Sequence, residues 1–187
     1  MNTYLGLHAA WRLACGKADG AAMLEQAHGS AGQLAARSFW AVPLSLPAFI
    51  CLHLLGVTEA AATGEPARAL ATDLLGFVIG WLGFALLSHR LANALGRGTL
   101  WPRFIVAWNW CNLLQYLFLL FAAVPTVTGM PGFIAETAWL VAMGWALWLE
   151  WFVTRLTLAL PGRTAAALVA LDVAFGLFLT SATGIFR

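Results

Sequence analysis

One stretch constrains this chain more than any other: Glu136 to Leu160, ETAWLVAMGWALWLEWFVTRLTLAL. A hydrocarbon core about 30 Å thick is crossed by about 20 apolar residues at 1.5 Å each, and this stretch exceeds that length. It also carries an acid, Glu150, inside itself. At 100° per residue, Trp139, Met143, Ala146, Glu150, Thr154 and Thr157 fall in one stripe, and Val141, Trp145, Trp148 and Phe152 fall opposite. Bulky aromatics tolerate lipid and a carboxyl does not, so the Glu150 stripe is expected to face other protein. One helix thus demands a membrane, a bundle, and a polar feature inside the bundle.

The rest of the chain agrees. It is 61% hydrophobic and only 10% charged, where a soluble domain would carry about 25% charged residues. A net charge of +2 points to neither nucleic acid nor an acidic substrate. The three cysteines, Cys15, Cys51 and Cys111, are odd in number and unlike in context, which is no disulfide framework. The opening residues lack the basic start, apolar run and small-residue cleavage site of a signal peptide. The fold expected is all-α, a polytopic membrane helical bundle of about five spans, preceded by an interfacial amphipathic helix. A segment 1–37 would be cytosolic or interfacial, and 38–187 would form the transmembrane domain.

Taken in order, residues 3 to 28 are too short and too polar to span. Either they lie on the membrane with Trp11 dipping in and Arg12 and Lys17 at the headgroups, or they form a short solvated helix packed on the bundle. The first span is expected at 38–57, kinked by Pro43 and Pro47. Residues 58–72 read as a polar connection with two acids. The second span, 73–91, places Asp73, Gly76, Gly80 and Gly83 on one side, and Gly76 and Gly80 form a GxxxG pair that admits a close neighbour. A basic connection with His89, Arg90, Arg97 and Arg103 leads to a third span at 104–124, with Asn109, Asn112 and Tyr116 along one side and Gln115 nearby. The uncharged turn 124–132 precedes the stretch already described, 136–160. Pro161 and Gly162 end it, and a fifth span, 164–183, contains Asp172.

With the N-terminus in the cytoplasm, eight of the ten basic residues fall inside and only Arg68 and Arg187 outside. The positive-inside rule therefore favours five spans, N-terminus in and C-terminus out.

Polar groups recur at one depth. Asn109 and Asn112 lie about 10 to 15 Å in from the inner end of their helix, Asp172 about 12 Å and Glu150 about 8 to 15 Å. An ionisable group there costs at least about 2.5 kcal/mol on insertion scales, so it faces the interior, pairs or takes up a proton. Two accounts remain open. In one, Glu150 and Asp172 accept an ion or proton, with Asn109, Asn112 and Gln115 as neutral ligands. In the other, all five serve interhelical hydrogen bonding, with Glu150 near Arg155 and Asp172 held by a Thr or Asn. The histidines do not share a level: His53 is near the outer end of its span, His89 near an inner end, and His8 and His28 lie outside the spans, so no haem site is expected. No catalytic constellation, metal site or cofactor site is found.

The second span opens Asp73-Leu74-Leu75-Gly76 and runs to Ser88-His89-Arg90-Leu91. A short Leu95-Gly96-Arg97-Gly98-Thr99 loop follows, and the last two helices are joined by Pro161-Gly162-Arg163. This arrangement resembles the Yip-domain (Ypt-interacting protein) family of five-span membrane proteins in its short bacterial form. The family's Asp-Leu-x-Gly-Pro opening matches at Asp73, Leu74 and Gly76, and departs from it at Phe77, where the family has proline. The resemblance covers roughly residues 38 to 183. It implies a non-enzymatic membrane protein that organises, assembles or modulates partner membrane proteins, or self-associates. Eukaryotic members are linked to small GTPases through a cytosolic N-terminal region, and the segment 1–37 is too short to carry that partner over. The abundance of Ala, Gly and Trp, and of Arg over Lys, suits a bacterial inner membrane. The alternative function is a small proton- or cation-linked transporter or channel built on Glu150 and Asp172. The lipid bilayer is the one surrounding both readings require.

Overall fold

The structure, a computed structural model, describes residues 3–25, 29–60 and 66–184. Its elements are α1 (Thr3–Ala14), α2 (Asp19–Glu25), α3 (Ala31–Ser38), α4 (Ala41–Ala60), α5 (Pro66–Ala94), α6 (Trp101–Ala122), the single turn α7 (Val124–Val127), α8 (Gly132–Thr157) and α9 (Gly162–Gly184). Among the described residues there is no strand. Five stretches are long and apolar enough to cross a membrane: Ala31–Leu55, Ala67–Ala94, Gly98–Val127, Gly132–Thr157 and Gly162–Ala182. His28, residues 61–65 of the expected connection, and Arg187 lie outside the described residues.

Helix α6 is the centre of the bundle. Every residue from Phe104 to Cys111 is buried, the state expected of a helix apolar on all sides. It packs against α8, α4, α3 and α1, while α5 and α8 both pack against α9. Contacts fix the directions. Ser38 meets Asn109 and Phe49 meets Tyr116, so α3 and α4 run parallel to α6. Ser88 meets Trp101, Trp81 meets Asn109, and Ala146 meets Gln115, so α5 and α8 run antiparallel to it.

The span boundaries follow local chemistry. Ser30 and Gln33 form a capping box, each side chain bonding the other's backbone N–H at 3.3 Å, so the first crossing starts at Ala31 rather than at 38. The expected kink lies at Phe39–Trp40, between α3 and α4. Pro43 lacks the N–H that would reach back to Phe39, and the Val42 amide takes the Phe39 carbonyl instead at 3.0 Å. Pro47 is accommodated inside α4. Helix α5 begins before Asp73, and Thr72 returns its hydroxyl to the Arg68 carbonyl at 2.8 Å within that extension. Helix α8 starts at Gly132 and stops at Thr157. Ala159 then takes a left-handed φ of 50° ahead of Pro161.

The inward side of α8 differs from the expected stripe. Ala142, Ala146, Leu149, Val153, Thr154 and Thr157 are buried, whereas Met143 is 47% exposed. Trp145, expected on the lipid side, packs its ring 4.5 Å from that of Phe118. The small residues Ala142 and Ala146 let α6 approach, which turns the helix slightly from the stripe that Glu150 alone would set.

The amino-terminal helices form a hairpin. Gly6, Ala9, Ala10, Leu13 and Ala14 of α1 are buried. Gly6 lies under the Trp110 indole, and Gly20 of α2 lies against Ala9 and Leu13. Arg12 and Asp19 close the hairpin with an ion pair. Trp11, Ala14 and Cys15 border Leu114, Phe118 and Phe121, so α1 runs beside the half of α6 remote from Trp101. The segment thus packs on the bundle, but not as the solvated helix expected: one side of α1 is buried, and its Arg12 end lies away from the inner end of α6, where the topology count placed Arg12.

Candidate functional site

Four crossings, those of α4, α5, α6 and α9, border a half-open cavity of about 480 Å³. Its wall is aromatic. Phe49 and Phe77 have ring centroids 4.6 Å apart, Phe77 and Trp81 5.4 Å, and Phe77 and Tyr116 5.7 Å. Trp81 is nearly parallel to Tyr116 at 6.1 Å and edge-on to Trp108 at 5.7 Å. Phe175 of α9 closes the far side.

Two acidic positions open onto this space. Asp73, on the first part of α5, meets His53 of α4 with Oδ2 2.5 Å from Nδ1, both side chains nearly buried. Asp172, on α9, lines the cavity beside Trp108 and Tyr116. Behind it stands Glu150 of α8, its carboxyl near that of Asp172 without a well-formed hydrogen bond between them. Glu150 Oε1 is buried without a hydrogen-bond partner. The Trp108 indole lies next to the Asp172 carboxyl, but its Nε1 makes no well-formed hydrogen bond. The Gly80–Leu179 contact makes those two residues level, so the two acids are about 20 Å apart along the helix axes, counted from Asp73 to Gly80 and on from Leu179 to Asp172.

The structure sorts the expected site residues. Glu150 and Asp172 lie near each other, and neither bonds the partner expected for a purely structural role. Arg155 instead lies 5.4 Å over the Trp151 ring. Asn112 lines the cavity and bonds the Trp108 carbonyl of its own helix at 3.0 Å. Asn109 is fully buried and does not reach the cavity lining. It accepts from Trp81 Nε1 at 2.7 Å and donates to Ser38 Oγ at 2.7 Å, and Ser38 in turn donates to the Ala35 carbonyl. Gln115 donates to the Ala146 carbonyl at 2.9 Å, tying α6 to α8. Asn109 and Gln115 are therefore committed to helix packing.

The glycine side of α5 is also accounted for. Gly76 lines the cavity, a Cβ at Gly80 would touch Leu179 at 3.5 Å, and one at Gly83 would stand 2.6 Å from the Phe175 ring. The small side thus receives α9 of the same chain. The His53–Asp73 pair was not foreseen. A signal for it existed, because the end of one span and the start of the next lie at the same membrane level. Among the described residues no group of three His, Cys, Asp or Glu side chains could hold a metal ion.

Fold and site together define a class: a multi-pass helical membrane bundle with an aromatic, acid-bearing cavity between its crossings. Comparison with family models, with curated proteins and with solved structures finds no match.

Proposed function

We propose that this is a non-catalytic, proton- or cation-linked transporter of the bacterial inner membrane, with its N-terminus in the cytoplasm and its C-terminus outside. One observation carries it: Asp172 lines a solute-sized space between the crossings, with Glu150 of the neighbouring helix close behind it. Intramembrane acids of this kind mark proton and ion pathways. Competition between a cation and a proton at Asp172 is the elementary requirement for linking solute movement to proton movement. The alternative, a Yip-like protein that organises partners, is supported by the Asp73, Leu74 and Gly76 match. It loses the glycine side as a free docking surface, because α9 occupies it.

The test is flux in liposomes under an imposed pH gradient, for the natural protein and for Glu150→Gln and Asp172→Asn. Cation-dependent proton movement that both substitutions abolish supports transport. Flux indistinguishable from empty liposomes, or unchanged in both variants, rejects it. A stoichiometric second membrane protein in native mass spectra would then return weight to the organising role. Reporter fusions decide orientation, and a cytoplasmic signal from a C-terminal reporter would defeat the five-span topology.

A further inference from the structure

We propose that the cavity selects an organic cation, a protonated amine or quaternary ammonium with an apolar body, over inorganic ions and over neutral or anionic solutes. This rests on the cavity being the solute site, and it adds the chemical class of the solute.

The lining decides against a bare inorganic ion. Calcium takes six to eight oxygen ligands and magnesium six, in place of their water. Here Asp73 is engaged by His53, Thr180 gives its hydroxyl to the Gly176 carbonyl at 3.0 Å, and Asn109 is turned away into its own bonds with Trp81 and Ser38. Asp172, the Asn112 amide and the Tyr116 hydroxyl remain, too few to replace a hydration shell. The same wall suits an organic cation. Aromatic ring faces attract alkylammonium groups, and sites for quaternary ammonium ligands are built from such rings around one charge. Phe77, Trp81, Trp108 and Tyr116 supply contiguous rings, and Asp172 supplies the anion beside two of them. A volume of about 480 Å³ falls within the range of small-molecule sites and is far larger than a dehydrated metal ion needs.

The lining sets the sign of the charge. The groups facing Asp172 are Glu150 from α8 and Tyr116 from α6, with the His53–Asp73 pair further along the space from α4 and α5. Among the described residues no lysine or arginine lines the space. An acidic lining without a basic side chain favours a cation and repels an anion.

The experiment uses the full chain in nanodiscs and isothermal titration with benzyltrimethylammonium. Benzyl alcohol serves as the neutral counterpart, and potassium and calcium as the inorganic probes. Saturable binding of benzyltrimethylammonium is expected, at least about ten-fold tighter than any of the other three. Asp172→Asn should weaken it about ten-fold or more. Tyr116→Leu keeps the carboxyl and removes one ring, and it should weaken the ammonium while leaving benzyl alcohol unchanged. That variant serves if Asp172→Asn does not fold. Equal affinity for benzyl alcohol, tighter binding of potassium or calcium, or ammonium binding indifferent to the variants that fold overturns the proposal. The two ideas fail separately. Proton flux sensitive to Asp172→Asn without ammonium binding overturns only the solute class. Ammonium binding sensitive to Asp172→Asn without any flux supports the solute class and overturns transport.

Discussion

Replacing Asn109 with alanine tests the inner framework of the bundle directly. Asn109 is fully buried and joins three elements, accepting from Trp81 on α5 and donating to Ser38 on α3 while sitting on α6. Its removal breaks two interhelical hydrogen bonds, worth about 0.6 kcal/mol each on the average for membrane bundles. It also leaves the Trp81 indole N–H, 4% exposed, without its acceptor, and an orphaned buried donor costs about 1 to 3 kcal/mol. The sum is about 2 to 4 kcal/mol, a large part of a domain's usual stability of 5 to 15 kcal/mol. Reversible unfolding in mixed detergent–lipid micelles, followed by circular dichroism, measures it. Asn112→Ala is the internal control, because the Asn112 amide bonds only a carbonyl of its own helix, and it should cost under about 1 kcal/mol. The double-mutant cycle with Trp81→Phe isolates the orphaned donor: once Asn109 is gone, losing the indole N–H should be cheaper by about 1 kcal/mol. If Asn109→Ala costs no more than Asn112→Ala, and the cycle shows no coupling, the three-element bond network does not hold the bundle as described.

Three further outcomes are expected. Gly83→Ala places a Cβ 2.6 Å from the Phe175 ring and should destabilise by about 1 to 3 kcal/mol, with Phe175→Leu in the same chain restoring much of the loss, as read by thermal unfolding in detergent. N-ethylmaleimide, which partitions into the micelle, should label Cys15 and the lipid-facing Cys51 in the folded, detergent-solubilised protein faster than Cys111, which is buried in α6; mass spectrometry of tryptic peptides would show the pattern, and equally prompt labelling of Cys111 would contradict the central place of α6. Asp19, held below its ordinary value of 3.8 by the hydrogen bond from Arg12, contributes to hairpin closure above that value, and the contribution is lost as pH falls through the lowered one; loss of hydrogen-exchange protection in α1 should therefore set in below pH 3.8 and be absent in Asp19→Asn.

How much of this was legible in the sequence depends on which physical signal each feature leaves. The crossings were, because long apolar runs stand out whatever packs on them. Their ends were less so: residues 66–72 read as a polar connection, yet a hydroxyl such as that of Thr72 satisfies a carbonyl one turn back and lets the helix continue. The face of α8 was turned wrongly because lipid and protein interior are both apolar. Hydrophobicity no longer separates inside from outside there, and Ala142 and Ala146 carry the information through their small size. Glu150 and Asp172 were found singly by their charge, whereas their meeting depends on the rotation of α8 and α9 about their axes. Asn109 and Asn112, one turn apart on one helix, could not be told apart at all. Only the tertiary partners assign one to the framework and the other to the cavity.

The seating of the α1–α2 hairpin bears on how the chain is made. Its buried side, Gly6, Ala9, Ala10 and Leu13, rests on a surface centred on Trp110, about a hundred residues later in the sequence. Synthesis runs from the N-terminus at about 5 to 20 residues per second, so the hairpin is made several seconds before its docking surface, with two crossings made in between. During that interval the small-residue side of α1 is uncovered. The hairpin thus precedes the surface it rests on, and it can be seated only once α6 has joined the bundle.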